Sequence, residues 1–218
     1  MLLYDSGYTP EKRRSFMFGS QHNISILSEA PHIMMDATFS SSPNLFAQLF
    51  TVHGLYDSGW HMPLVYGLLP GKTQVLYTDF LAALDHLFPS ATFEPQSVLC
   101  DFEKGLHNAI EIVWPDATVR GCYFHFKSSL WKKMQAFELV PEYKVLSSPV
   151  RKWFKIIGAL PFVEPGSVVE LWEDIKPQVP LEMDDFVNYF ERTWIGNSSS
   201  GSRPLFDKFL WNQYMTVS

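Results

Sequence analysis

The chain is poor in cysteine, in charge and in long apolar runs. Its 218 residues include only two cysteines, Cys100 and Cys122. Two thiols cannot build a disulfide scaffold or a four-thiolate zinc site, so a reducing compartment is the expectation. No apolar run approaches the roughly 18 residues of a membrane span. The start, Met1-Leu2-Leu3-Tyr4-Asp5, lacks the basic and apolar regions of a signal peptide. A glycine-rich first βα turn is missing too, which argues against a doubly wound nucleotide-binding fold. Charged residues make up 18% and sum to −6, a balance that weighs against a dedicated nucleic-acid binder.

What is present is core material and an uneven charge. Apolar residues are 46% and aromatics 16%, enough to bury the interior of about one domain. Eight basic residues lie between Arg120 and Lys155, opposed only by Glu138 and Glu142, a local net of +6. From Glu164 to Glu191 eight acidic residues face Lys176 alone, a local net of −7. Local fields of this kind attract a polyanion even when the total is negative, although ordinary solvated helix faces read the same way.

Residues 1–30 are mixed and polar, with few periodic signals, and read as a partly extended N-terminal fragment. His32–Phe39 reads as a buried strand that ends near Asp36, Leu45–His53 as a second strand and Met62–Leu69 as a third. Ser41–Asn44 and Tyr56–Gly59 carry turn chemistry, and connections this short favour an antiparallel meander. Pro70-Gly71-Lys72-Thr73 breaks the third strand, and Thr73 is a candidate N-cap for a helix reaching Leu87. Ser97–Asp101 is a short apolar strand that closes on a second carboxylate. Glu103–Val113 is helical, Ala117–Phe124 is a fifth strand, and helices follow at about 127–138, 149–159, 167–176 and 183–194. Ser198–Gly201 reads as a flexible joint. The division expected is a fragment at 1–30, an α/β core at 31–126, a helical region at 127–196 and a linker with tail at 197–218.

The order of three strands, helix, strand, helix, strand, then helices is that of a ribonuclease-H-like core. A fourth strand running parallel beside the first would bring Asp36 and Asp101 to neighbouring strand ends. Two such carboxylates suit Mg²⁺, which prefers oxygen ligands and keeps waters that a phosphate can replace. A pair of ions about 3.5–4 Å apart clamps an in-line displacement at phosphorus. Taken singly, each aspartate is more often a turn or cap residue. Cys122-Tyr123-Phe124-His125 is a C-x-x-H without a second paired motif, so zinc is not expected. Either a structural pair or a histidine that meets DNA or assists metal binding accounts for it.

Taken in order, these segments resemble the transposase of Mutator-like elements, in the form found in animal genomes, from about Ser20 onward. The blocks that carry the resemblance are Met35–Phe39, Gln48–Gly54, Pro63–Thr73, Cys100–Gly105, Gly121–His125, Ala159–Val163 and Tyr189–Gly196. The resemblance implies a ribonuclease-H-like DDE core with a helical insertion. It also implies DNA cleavage and strand transfer with Mg²⁺ or Mn²⁺, element ends as the DNA partner, and a nuclear location. Asp36 and Asp101 match the first two acidic positions of the family. The third is expected in a T-N-N-x-x-E-like element that the chain does not reach, so a C-terminally truncated and inactive form is the expectation. Glu191 is the fallback, with Glu170 and Glu173 behind it. The alternative is a non-catalytic remnant that binds DNA backbone through Lys127, Lys132, Lys133, Arg151 and Lys152, or binds a related transposase or a second copy of itself.

Overall fold

The computed structural model describes residues 1–8, 14–56, 59–88, 93–196 and 201–214. The joint expected at Ser198–Gly201 and the turn expected at Tyr56–Gly59 lie partly outside these residues. The chain divides into two compact units, Met1–Arg120 and Gly121–Ser218.

The first unit is built on a mixed sheet. Its strands are β1 (Leu2–Asp5), β2 (Phe16–Phe18), β3 (His32–Thr38), β4 (Gln48–Leu55), β5 (His61–Leu69), β6 (Ser97–Cys100) and β7 (Thr118–Gly121). They lie in the order β1-β2-β5-β4-β3-β6-β7. β3, β4 and β5 form the antiparallel meander, and β6 joins β3 in parallel. Three helices belong to this unit: α1 (Gln21–Ser28), α2 (Gln74–Asp85) and α3 (Lys104–Val113). The mixed α/β class therefore holds. The first thirty residues, silent in periodicity, extend the sheet through the β1–β2 hairpin and add α1.

Strand alternation explains which face is covered. In β4, Gln48, Phe50, Val52 and Gly54 are buried, while Leu49, Thr51, His53 and Leu55 between them are half-buried. α2 answers with Tyr77, Phe80, Leu81 and Leu84, a stripe at helical spacing. Thr73 does cap it, accepting from Leu76 N–H at 3.4 Å. The core joins these to Ile24 and Leu27 of α1, Ile33 and Met35 of β3, Val98 and Cys100 of β6, and Leu106 and Ile110 of α3.

The second unit is helical among the described residues: α4 (Tyr123–Ala136), α5 (Val140–Lys144), α6 (Pro149–Ala159), α7 (Val168–Ile175), α8 (Asp184–Phe190) and α9 (Lys208–Trp211). α4 starts at Tyr123, so Tyr123 and Phe124, expected to end the fifth strand, form a helical turn instead. α8 runs on as a π-helical turn, Glu191–Ile195. Large aromatics fill this unit. Phe126 stacks on Trp211 with ring centroids 5.5 Å apart and meets Trp194 edge-on at 4.8 Å. The segment after residue 200 is tied back into this unit. Leu205 N–H donates to Arg192 O at 3.0 Å, and Gln213 N–H to Pro161 O at 2.7 Å. No helix among the described residues is long and apolar enough to cross a membrane.

Candidate functional site

β3 and β6 pair in parallel with His32 opposite Ser97, Ile33 opposite Val98 and Met34 opposite Leu99. The same register carried two residues further sets Asp36 level with Asp101, the residue just past β6. Neighbouring strands lie about 4.8 Å apart, so that extension would put the backbones of the two half-buried aspartates about one strand spacing apart. Met35 and Cys100 are buried in the core, so alternation along β3 turns Asp36 to the opposite face, while Asp101 follows the last residue of β6.

The loop that carries Asp101 is fixed from several directions. Glu103 N–H donates to Asp101 Oδ1 at 3.2 Å, an Asx-type turn that leads into α3. The buried His107, one turn into α3, donates from Nε2 to the Asp101 carbonyl at 2.7 Å, which fixes its tautomer.

Behind Asp101 lies a polar network that crosses the core. Gln48, fully buried on β4, donates through Nε2 to Gly71 O at 2.7 Å and to Tyr77 Oη at 2.9 Å. Tyr77 in turn donates to Glu103 Oε2 at 3.1 Å. Lys72 Nζ approaches the same carboxylate oxygen at 3.7 Å. Burial pushes the Glu103 carboxyl up, and the nearby Asp101 charge adds to it, while Lys72 and the Tyr77 hydrogen bond pull the other way. Burial also drives the Tyr77 phenol far above its ordinary range. Asp36 has a neighbour of its own in His53 on β4. Burial lowers the His53 imidazole and His61 adds to this, with Asp36 opposing them.

Gln48, Lys72, Tyr77 and Glu103 carry no role in the sequence reading. Gln48 alone leaves a signal in the sequence, as an amide at a position where strand alternation demands a core residue. Among the described residues, no group of three His, Cys, Asp or Glu side chains is arranged to hold a metal ion.

The remaining expected site residues belong to the second unit. Cys122 is the residue before α4. Burial raises its thiol pKa, but hydrogen bonds from the His125 side chain and from the backbone N–H groups of His125 and Phe124 outweigh this and leave it lowered. Glu191 is only 6% exposed. It accepts from Trp172 Nε1 at 3.0 Å and pairs with Lys176 Nζ at 2.5 Å, so it is engaged inside the helical unit. Glu170 and Glu173 are exposed on α7.

The basic segment is less available than its charge implies. Lys127 Nζ lies 4.4 Å from the Phe154 ring centroid, and burial lowers its pKa. Lys133 Nζ lies 5.0 Å from the Tyr189 centroid. Arg151 stacks 5.2 Å from the Tyr143 centroid and donates to Tyr143 O at 3.3 Å. Lys132 and Lys152 are exposed.

Residues 32–129 match the family model of the MULE transposase domain. Among curated proteins, none matches the chain.

Proposed function

Because residues 32–129 form a MULE transposase domain, we propose that the chain is a DDE-type, ribonuclease-H-like transposase unit in which Asp36 and Asp101 are the first two acidic residues. The observation that supports this reading is the parallel β3–β6 pairing, a register that, continued past Met34 and Leu99, sets Asp36 level with Asp101. The partner is DNA at element ends, and the location that follows from that role is nuclear.

The donor set fits Mg²⁺ or Mn²⁺ held through two carboxylates, with water and phosphate oxygen completing the shell. It does not fit an ion enclosed by protein ligands, and no zinc site is assigned to Cys122 and His125. When bound, the metal would supply charge neutralisation and activation of the attacking oxygen at the scissile phosphate. The chain's own part is to hold the carboxylates. The Asx turn at Glu103 and the His107 bond to the Asp101 carbonyl fix one of them, and the central position of β3 fixes the other.

Glu191 is committed to Trp172 and Lys176, so we do not assign it as the third carboxylate. Two ligands give a weak and loosely defined metal site, and the 218-residue chain is proposed to cleave DNA poorly for that reason. A second reading, binding without catalysis, draws on the exposed Lys132 and Lys152, with Lys127, Lys133 and Arg151 contributing less because their charged ends rest on aromatic rings.

The test is Mn²⁺ titration followed by calorimetry, alongside cleavage of DNA carrying element ends. Weak Mn²⁺ binding that disappears in Asp36→Ala and in Asp101→Ala, with little cleavage, is the expected result. Mn²⁺ binding that survives both substitutions would overturn the assignment of the two aspartates. Brisk cleavage abolished by Asp36→Ala would overturn only the proposed inactivity.

A further inference from the structure

The loop between β5 and α2, which reads in sequence as a simple strand breaker, carries a lysine at an unusual junction. Lys72 Nζ lies 3.8 Å from the centroid of the Phe39 ring and 3.7 Å from Glu103 Oε2. Phe39 stands three residues beyond Asp36, and Glu103 two residues beyond Asp101. The ammonium group therefore bridges the two segments that leave the aspartates. Its side chain is 43% exposed, and Phe39 is 48% exposed.

The base beneath this lysine is rigid. Gln48 holds the Gly71 carbonyl from inside the core. Asn108 Nδ2 on α3 donates to Gln74 Oε1 at 2.8 Å. Gly105 lets the first turn of α3 come against the loop, since a Cβ there would stand 3.1 Å from both Lys72 O and Gln74 N. Glu103, in turn, is backed by Tyr77. A flexible surface lysine would lose rotamer entropy on contacting a ligand, whereas one held between a ring and a carboxylate has already lost much of it.

Local charge gives this placement a purpose. Asp36, Asp101 and Glu103 make this end of the sheet acidic, and a phosphodiester approaching it is repelled unless a cation faces it. Phe39 presents an exposed aromatic ring beside that cation, the pairing by which proteins hold an unpaired nucleotide: phosphate on the cation, base on the ring.

We propose that Lys72 and Phe39 form a nucleotide-positioning pair at the rim of the aspartate site, with Lys72 taking a phosphate and Phe39 stacking an unpaired base of single-stranded DNA. The proposal rests on the transposase reading above. Lys72 acts by positioning substrate.

The experiment uses the full 218-residue chain and a fluorescein-labelled single-stranded oligonucleotide, with anisotropy titrations at several NaCl concentrations without divalent metal. Lys72→Gln is expected to weaken binding about tenfold and to reduce the slope of log affinity against log salt by about 0.7, the value of one lost phosphate contact on a single strand. Lys72→Arg should restore most of both, which a purely packing role would not. Phe39→Leu should weaken single-strand binding more than duplex binding. Acetylation footprinting of the wild-type chain reads the same contact without any variant, and bound oligonucleotide should protect Lys72. Wild-type binding with an unchanged slope in Lys72→Gln, or with Lys72 unprotected, would overturn this proposal and leave the transposase reading standing. Absence of DNA binding by the wild-type chain even at low salt would overturn both.

Discussion

Tyr77 donates its phenolic proton to Glu103 Oε2 at 3.1 Å from a fully buried position on α2. The carboxylate it meets has 20% of its side-chain surface exposed and is shared with Lys72. Burial holds the Glu103 carboxyl above its ordinary value of 4.5. A carboxyl raised in this way binds protons in the folded state that the unfolded chain has already released. Stability therefore falls as pH rises from about 4.5 through the folded value.

Glu103→Gln removes the ionisation and keeps an oxygen for Tyr77. The variant should approach the wild-type chain as pH falls below about 4.5, where Glu103 becomes increasingly neutral in both states, and gain relative stability toward neutral pH. Thermal unfolding of both proteins across about pH 4 to 8 reads the difference. A difference that stays constant over that range would remove burial of the charged carboxylate as the cause.

The parallel pairing of β3 and β6 was legible in the sequence because each is a short apolar run and the connections allow only a few arrangements of those runs. The surroundings of Asp36 and Asp101 were not. Lys72 reads as loop chemistry and Glu103 as the start of a helix, because what joins them to Tyr77 and Gln48 is tertiary contact between residues that sequence spacing does not relate. Tyr123 and Phe124 read as the end of the fifth strand, yet they open a 14-residue helix, since packing overrides local preference in so short a stretch. The positive charge of residues 120–155 was legible as a sum. The resting of Lys127 on Phe154 was not, because a lysine stem lies along apolar surface as readily as it reaches into water.

Gly67 on β5 is a packing position that sequence alone leaves open. A Cβ there would stand 2.6 Å from Phe80 Cε2 and 2.8 Å from Phe80 Cζ. The ring also packs edge-on against Phe50, with centroids 5.5 Å apart. Gly67→Ala must therefore displace a ring fixed inside the core, at an expected cost of about 1–3 kcal/mol. Urea unfolding measures it, and a variant as stable as the wild-type chain would show that Phe80 has room to move.

In the helical unit, Glu191 sits between Trp172 Nε1 and Lys176 Nζ. Lys176→Ala leaves a buried carboxylate with the indole N–H but no countercharge, a loss of about 3 kcal/mol. Glu191→Gln keeps an acceptor for Trp172 and frees Lys176 to reach water, which should cost only about 1 kcal/mol. The double variant should recover most of the loss from Lys176→Ala. Urea unfolding that finds Lys176→Ala no worse than Glu191→Gln would sink the view that a buried charge is being compensated here.

Cys122 offers a test of the C-x-x-H pair that needs no assumption about DNA. Burial favours the neutral thiol, yet the hydrogen bonds from His125 and from the backbone N–H groups of His125 and Phe124 favour the thiolate more strongly. Iodoacetamide reacts with the thiolate, so the alkylation rate against pH reports the balance directly. Cys100 is 1% exposed and should stay silent, and Cys100→Ser confirms the assignment of the signal. The wild-type midpoint should fall below the ordinary thiol value of about 8.5. His125→Ala removes the side-chain donor and leaves the two backbone donors, so the midpoint should rise part of the way back rather than all of it. An unchanged midpoint in His125→Ala would mean that the first turn of α4, and not the histidine, holds the thiolate.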